Sequence, residues 1–120
     1  MSVSYDTQDK SILETMRGML GPSEDYDYFD TDLVPHINSV LNRLKQLGVG
    51  PAGGYYITGD SETWGDYFDD CKVINMVISY MYLKLRMVFD PPSNSTTSQS
   101  FESQIKEYEW EMNVDAETID

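Results

Sequence analysis

The most apolar segment of this 120-residue sequence is CKVINMVISYMYLKLRMVF, residues 71–89. Helical spacing divides its apolar residues into two faces. The first face consists of Val73, Ile74, Val77, Ile78, Met81, Leu85 and Val88. The second face consists of Met76, Tyr80, Leu83 and Met87. A helix that is apolar on two sides lies at the centre of its domain or contacts a neighbour. We therefore predict a central helix over residues 71–89 whose second face contacts another subunit.

A first helix is predicted over residues 7–20, where apolar side chains recur at helical spacing. These side chains belong to Ile12, Leu13, Met16, Met19 and Leu20. Asp6 or Thr7 can cap the start of this helix, and Gly21-Pro22 can end it. The acidic and aromatic residues 23–29 that follow lack helical spacing, so we expect them to form a connecting loop.

A second helix is predicted to begin at Asp30 or Thr31, either of which can cap it. It ends at Gly48, because glycine suits the left-handed position that follows a helix. Its buried stripe consists of Leu33, Ile37, Val40, Leu41, Leu44 and Leu47. We place Pro35 in the first turn, where its missing amide hydrogen costs little.

Glycine and proline interrupt the helical pattern after the second helix, at Gly48, Gly50, Pro51, Gly53 and Gly54. They precede the β-prone run Tyr55–Thr58. We therefore predict a long Gly-rich loop over residues 48–66 that holds a small strand or short β-hairpin. Ser61 then caps one or two helical turns, whose aromatic residues fasten the loop to the body. These aromatic residues are Trp64, Tyr67 and Phe68.

The C-terminal region begins with SNSTTSQS, residues 93–100, which holds no charge and no apolar anchor. We predict that it is a polar linker between a helical body, residues 1–92, and a C-terminal helix with an acidic tail, residues 101–120. One face of that helix carries Phe101, Ile105, Tyr108 and Met112. Trp110 falls off this face, and exposed tryptophans are frequent binding anchors.

Composition limits the classes of function. The chain has 8 Lys plus Arg against 21 Asp plus Glu, a formal net charge of −13. This charge argues against binding nucleic acid through its phosphates and against binding an anionic membrane. With 40% hydrophobic residues the chain should fold, and we predict an all-α protein, a small bundle of about four helices. The single cysteine, Cys71, excludes an internal disulfide and suits a cytosolic setting, and we expect no secretory signal and no transmembrane segment.

No motif of the sequence indicates catalysis. The spacing of Gly48, Gly50 and Gly53 matches a dinucleotide-binding loop, but that loop must follow a strand and this one follows a predicted helix. His36 and Cys71 lack an identifiable orienting partner. We therefore expect no enzymatic activity, no metal and no cofactor.

Several short segments together resemble the small head–tail connector (adaptor) proteins of long-tailed bacteriophages, over about residues 10–114. The segments that carry the resemblance are FDTDL (29–33), HINSVL (36–41), QLGVGP (46–51), Gly59-Asp60 with Trp64, YLKLR (82–86), FDPP (89–92) and EWEMN (109–113). Glu111 departs from the family's pattern, in which we expect a basic residue there.

The resemblance implies an all-helical virion protein, made in the host cytoplasm, that forms a ring of about a dozen copies under the portal protein. Such a ring joins the DNA-filled capsid to a stopper or tail-completion protein, and DNA passes through without specific binding. We expect the Gly-rich loop to face the tail through Gly50, Pro51, Tyr55, Tyr56, Ile57 and Trp64. We expect the C-terminal helix to face the portal through Phe101, Ile105, Tyr108 and Trp110.

An alternative from another class is a small acidic inhibitor that imitates DNA and blocks a nucleic-acid enzyme. Its carboxylates would have to run in paired rows along one surface. In this sequence they cluster in residues 24–32, 60–70 and 102–120, which are predicted loops and a chain end. This distribution favours the connector.

The charge predicts that the purified protein does not bind DNA tightly. Phosphate contacts need cations, and the chain carries a net charge of −13. In a gel-shift titration at physiological salt we expect no shift of duplex DNA at micromolar protein. Sequence-independent binding below that concentration would overturn the idea of an acidic channel that DNA slides through.

Overall fold

The protein is an all-α bundle in the computed structural model, which describes the backbone of residues 9–21, 30–68 and 71–118. The helices of these ranges are α1 (Ile12–Leu20), α2 (Asp30–Gln46), α3 (Trp64–Tyr67), α4 (Cys71–Phe89) and α5 (Ser95–Thr118). No strand occurs in the described ranges, so the predicted all-α class is confirmed. None of the helices described is long and apolar enough to cross a bilayer.

The central helix is α4, which packs against α1, α2 and α5. Its range agrees with the predicted residues 71–89. Tyr80 and Leu83, which we predicted to contact another subunit, are instead buried within the chain because α5 covers this side of α4. Val88, predicted to be core, is 53% exposed. Met76 and Met87 are half-buried, so only these two of the predicted interface residues keep exposed surface.

Helix α1 is shorter than predicted. It begins at Ile12, and Ser11 is its N-cap, whose Oγ accepts a hydrogen bond from the Glu14 amide at 3.2 Å. The predicted caps Asp6 and Thr7 lie outside the described residues. The helix starts late because Ser11 is extended and forms an antiparallel bridge with Thr63.

All six residues of the predicted stripe are buried, five of them in α2 and Leu47 just after its end. Gly48 has a φ of +89°, as expected for the residue that ends the helix. The position of Pro35 was predicted wrongly: it is the sixth residue of α2, so it lies in the second turn and withholds one intrahelical hydrogen bond. Near the middle of α2, the His36 ring meets the Phe89 ring edge-on at 5.0 Å and thereby joins α2 to the end of α4.

The Gly-rich loop contains no β-hairpin, contrary to the prediction. The backbone of Ile57 pairs with a side chain of α2 instead of a second strand. Its amide donates to Asn38 Oδ1 at 2.7 Å, and its carbonyl accepts from Asn38 Nδ2 at 3.0 Å. One asparagine thus satisfies both polar backbone groups of a residue whose side chain is 1% exposed.

Helix α3 begins after Thr63 rather than after the predicted Ser61. Thr63 and Asp66 form a capping box, in which each side chain accepts the backbone N–H of the other residue. The buried Trp64 donates its indole N–H to Thr15 Oγ1 at 3.0 Å. These contacts hold the end of the Gly-rich loop against α1.

Residues 93–100 are not a linker, because α5 already begins at Ser95. Asn94 Oδ1 accepts hydrogen bonds from the amides of Thr96 and Thr97, at 2.7 and 3.2 Å. This cap starts a helix in a run of residues that has no apolar anchor of its own. The helix runs to Thr118, so it also includes much of the predicted acidic tail.

The substitution Asn38→Ala should destabilise the fold, since it leaves two polar backbone groups of the buried Ile57 without partners. We expect the free energy of unfolding to fall by about 2 kcal/mol in urea titrations. The matched control is Asn42→Ala, one turn along the same helix at an exposed position, which should change it by less than about 0.5 kcal/mol. Equal effects of the two substitutions would show that the loop is not held by Asn38.

Candidate assembly surfaces

The residues predicted to face the tail divide into a surface group and a core group. Tyr56 is 69% exposed and Pro51 is exposed, whereas Ile57 and Trp64 are 1% and 0% exposed. Ile57 is buried because its backbone is fixed to α2, and Trp64 because it opens α3 against α1. Ile57 and Trp64 therefore hold the loop against the bundle, whereas the side chain of Tyr56 is exposed to solvent.

The first part of the loop packs closely on Tyr67. Gly50 has a φ of +91°, and a Cβ built there would lie 2.8 Å from Cε1 of the Tyr67 ring. The positive φ and the lack of space for a Cβ both require glycine at this position. Burial raises the pKa of the Tyr67 hydroxyl, which has no hydrogen-bond partner among the described residues.

A carboxylate braces the second part of the loop. Glu62 accepts hydrogen bonds from the amide and the hydroxyl of Thr58, at 3.0 and 2.9 Å, and from the amide of Gly59 at 3.4 Å. Partial burial acts to raise the pKa of Glu62, but these hydrogen bonds outweigh it and leave that pKa lowered. The loop is therefore tied down on both sides of Tyr56.

Trp110 stands out among the residues predicted to face the portal, since 67% of its surface is exposed. Ile105 and Tyr108 are half-buried against the core, and Phe101 lies under the guanidinium of Arg86 at 5.6 Å. The predicted face of α5 therefore packs on the bundle. Trp110 lies off that face, as its spacing predicted.

Glu109 connects α5 to two side chains of the bundle, Tyr80 on α4 and Arg43 on α2. Its carboxylate accepts a hydrogen bond from the Tyr80 hydroxyl at 2.5 Å and from Arg43 Nη2 and Nε at 3.3 and 3.4 Å. Partial burial acts to raise the pKa of Glu109, but the bonds from Tyr80 and Arg43 prevail and lower it. Burial and the bond to Glu109 raise the pKa of Tyr80. No sequence pattern indicates this network, because Arg43 and Glu109 are 66 residues apart.

The end of α5 lies beside the start of the Gly-rich loop. Asn113 Nδ2 donates to the carbonyl of Leu47 at 3.3 Å, just before that loop. The 24 residues of α5 span about 36 Å at 1.5 Å each, against a longest extent of 44 Å for the molecule. The turn before Ser95 therefore lies far from the start of the Gly-rich loop, whereas the middle of the loop returns along α2 to Asn38, two residues from the His36 ring that meets Phe89. The predicted portal-side residues do not share one end, since they are spread along α5 and Trp110 belongs to the half beside the loop.

The concave features of the described surface are open hollows. No group of three or more His, Cys, Asp or Glu side chains in the described residues could hold a metal ion. Two open hollows stand out, one on α1 beside α3 and one between α4 and α5. Their linings mix apolar and charged side chains, as at protein–protein contacts.

The Glu109 network predicts a pH-dependent contribution to stability. Because the folded-state pKa of Glu109 is lowered, its contribution is complete above the ordinary value of 4.5 and is lost as the pH falls through the folded-state pKa. We expect Glu109→Gln to lower the free energy of unfolding by about 1 kcal/mol at pH 7. This difference from the wild type should shrink between pH 5 and pH 3, measured by thermal unfolding at low protein concentration.

The control for this prediction is Glu107→Gln, an exposed residue on the same helix. It should stay close to the wild type across the pH range. A difference between Glu109→Gln and the wild type that remains constant down to pH 3 would contradict the role of the carboxylate charge.

Comparison with known proteins agrees with this picture of a small helical assembly protein. The family model described as phage connector protein matches residues 12–118, nearly the whole chain and all five helices described above. No curated protein and no solved structure matches the chain. On the match to the family model, the chain belongs to the phage connector protein family.

Proposed function

We propose that this protein is a structural head–tail connector of a tailed bacteriophage. The observation that carries the proposal is the family match over residues 12–118. In this role about a dozen copies form a ring under the portal protein and join the DNA-filled capsid to a stopper or tail-completion protein. The protein is a virion component and acts without catalysis.

The surface and bracing of the chain support an adaptor that contacts two partners. The Gly-rich loop and α5 each present one large exposed aromatic side chain, Tyr56 and Trp110. Both elements are fixed to the bundle, the loop through Asn38 and through the Glu62 carbonyl, which accepts from the Ile12 amide at 3.0 Å, and α5 through Glu109. A braced loop loses less conformational entropy on binding than a loose one.

The charge supports passage of DNA through the ring. A net charge of −13 on each copy repels a polyanion that carries one charge per roughly 1.7 Å of its axis. DNA then moves past the ring without being held. Family membership favours this role over that of the acidic DNA mimic, which needs the same charge but no partners at a capsid.

Two exposed aromatic residues are the proposed anchors. Trp110 on α5 contacts the portal, and Tyr56 on the Gly-rich loop contacts the tail side. Each exposes about two thirds of its surface, so a partner can bury a large apolar area on it. Met76 and Met87, which are half-buried on α4, supply subunit contacts.

A crossed experiment with Trp110→Ala and Tyr56→Ala tests the proposal. Both side chains are exposed, so both variants should keep the fold. Purified variants are added first to heads that carry the portal but lack this protein, and then tails are added. We expect Trp110→Ala to bind the heads at least tenfold more weakly, and Tyr56→Ala to bind heads normally but join few tails.

Each variant serves as the control for the other. The opposite pattern would reverse the assignment of the two surfaces. If the wild-type protein neither binds the heads nor promotes joining of tails, the connector function itself is wrong.

A further inference from the structure

We propose that copies of this chain join head to tail, with an acidic hollow on α1 of one copy seated on a lysine-bearing groove between α4 and α5 of the next. The acidic hollow is defined by Asp9, Glu14, Met19, Asp60 and Thr63. The lysine groove is defined by Lys84, Met87, Val88, Glu102, Ile105 and Lys106. This inference rests on the proposed ring and names the surfaces that form it.

The lysine groove combines an apolar floor with a basic rim. Val88 is 53% exposed, and Met87 and Ile105 beside it are half-buried. Lys84 stands over the Tyr80 ring, 5.9 Å from its centroid, and Lys106 is exposed. Val88 lies at the mouth of this groove, and burying its apolar side chain against a partner stabilises the complex.

The charge of the groove is unusual for this chain. Two lysines line it together with Glu102 and Glu109. The Glu109 carboxylate is already neutralised by its salt bridge to Arg43, so the lysines outweigh the remaining acid. Only 8 of the 120 residues are lysine or arginine, and two of them meet in this groove.

The acidic hollow carries charges of the opposite sign to the lysines of the groove. Asp9, Glu14 and Asp60 line it, against the single base Lys10. Its apolar element is Met19, which is 41% exposed. The two surfaces therefore match in kind, since each offers an exposed apolar residue beside charges of opposite sign.

Electrostatics favours a second copy as the occupant. Two copies with a net charge of −13 each repel one another wherever acidic surfaces meet. Seating the acidic hollow on the lysine groove sets carboxylates against lysines at the contact itself, which reduces that repulsion. Because the two surfaces differ and lie on different helices, the contact is heterologous, the type of contact that forms a ring when the rotation from copy to copy divides a full turn.

The test uses charge reversal in the full-length chain, read out as copies bound per portal-bearing head by quantitative mass spectrometry. We expect Lys106→Glu and Glu14→Lys each to reduce the number bound at least fivefold. The double variant, which carries Lys106→Glu and Glu14→Lys together, should restore most of the bound copies, because opposite charges then face each other again. The matched control is Lys45→Glu, an exposed position on α2 outside both surfaces with the same change in net charge.

Binding of Lys106→Glu at the wild-type level would overturn the inference and leave the connector function standing. A combined variant no better than the single ones would also overturn it. Failure of the wild-type protein to bind heads would instead contradict the proposed function.

Disulfide cross-linking tests the same contact between copies in the absence of heads. In a Cys71→Ser background, the double variant Met19→Cys with Val88→Cys is oxidised at high protein concentration, with each single cysteine variant in that background as control. A ladder of covalent multimers in the double variant alone supports head-to-tail joining. No multimers beyond those of the single variants would overturn it.

Discussion

The need to cover α4 on several sides organises the whole structure. This helix is apolar on two faces, and Ile74, Val77, Tyr80, Met81 and Leu85 are each no more than 1% exposed. Burying a large apolar side chain stabilises a fold by about 1.5–3 kcal/mol. Helices α1, α2 and α5 all pack on α4, and no one of them could bury both faces alone. The other three long helices are therefore arranged around α4.

Single polar side chains then attach the remaining segments to the bundle. Asn38 binds the backbone of the Gly-rich loop, Glu109 connects α5 to Tyr80 and Arg43, and Asn113 reaches the end of α2. Each of these bonds is partly buried or lies at a helix end, where an unsatisfied polar group costs free energy. Chain segments that are apolar on only one side are in this way held in defined positions on the surface.

Hydrophobic periodicity predicted the helices that bury apolar residues, and α4 agrees with its prediction from Cys71 to Phe89. Hydrophobic periodicity did not predict where a helix begins when that start depends on local hydrogen bonds. Asn94 begins α5 inside a run of serine and threonine that reads as a linker, and Ser11 begins α1 where residues 7–20 read as one helix. The family resemblance was confirmed, because it rested on several segments spread along the chain.

Contacts between distant segments were the part that the sequence could not predict. Ile57 was assigned to a small strand or hairpin in a loop facing the tail, but the side chain that pairs with it is 19 residues away on α2. Tyr80 and Leu83 were assigned to an interface because a sequence pattern shows that a helix has two apolar faces without showing what covers the second one. Only the three-dimensional arrangement shows that α5 does so and leaves Val88 exposed at the edge.

Electron microscopy of portal-bearing heads, imaged with and without the purified protein, decides whether the protein is a head–tail connector. A connector should appear as an additional ring of density below the portal, with the same number of copies in every particle and an open channel along its axis. Heads whose density is unchanged after incubation with the protein, or density that closes the channel, would contradict this role.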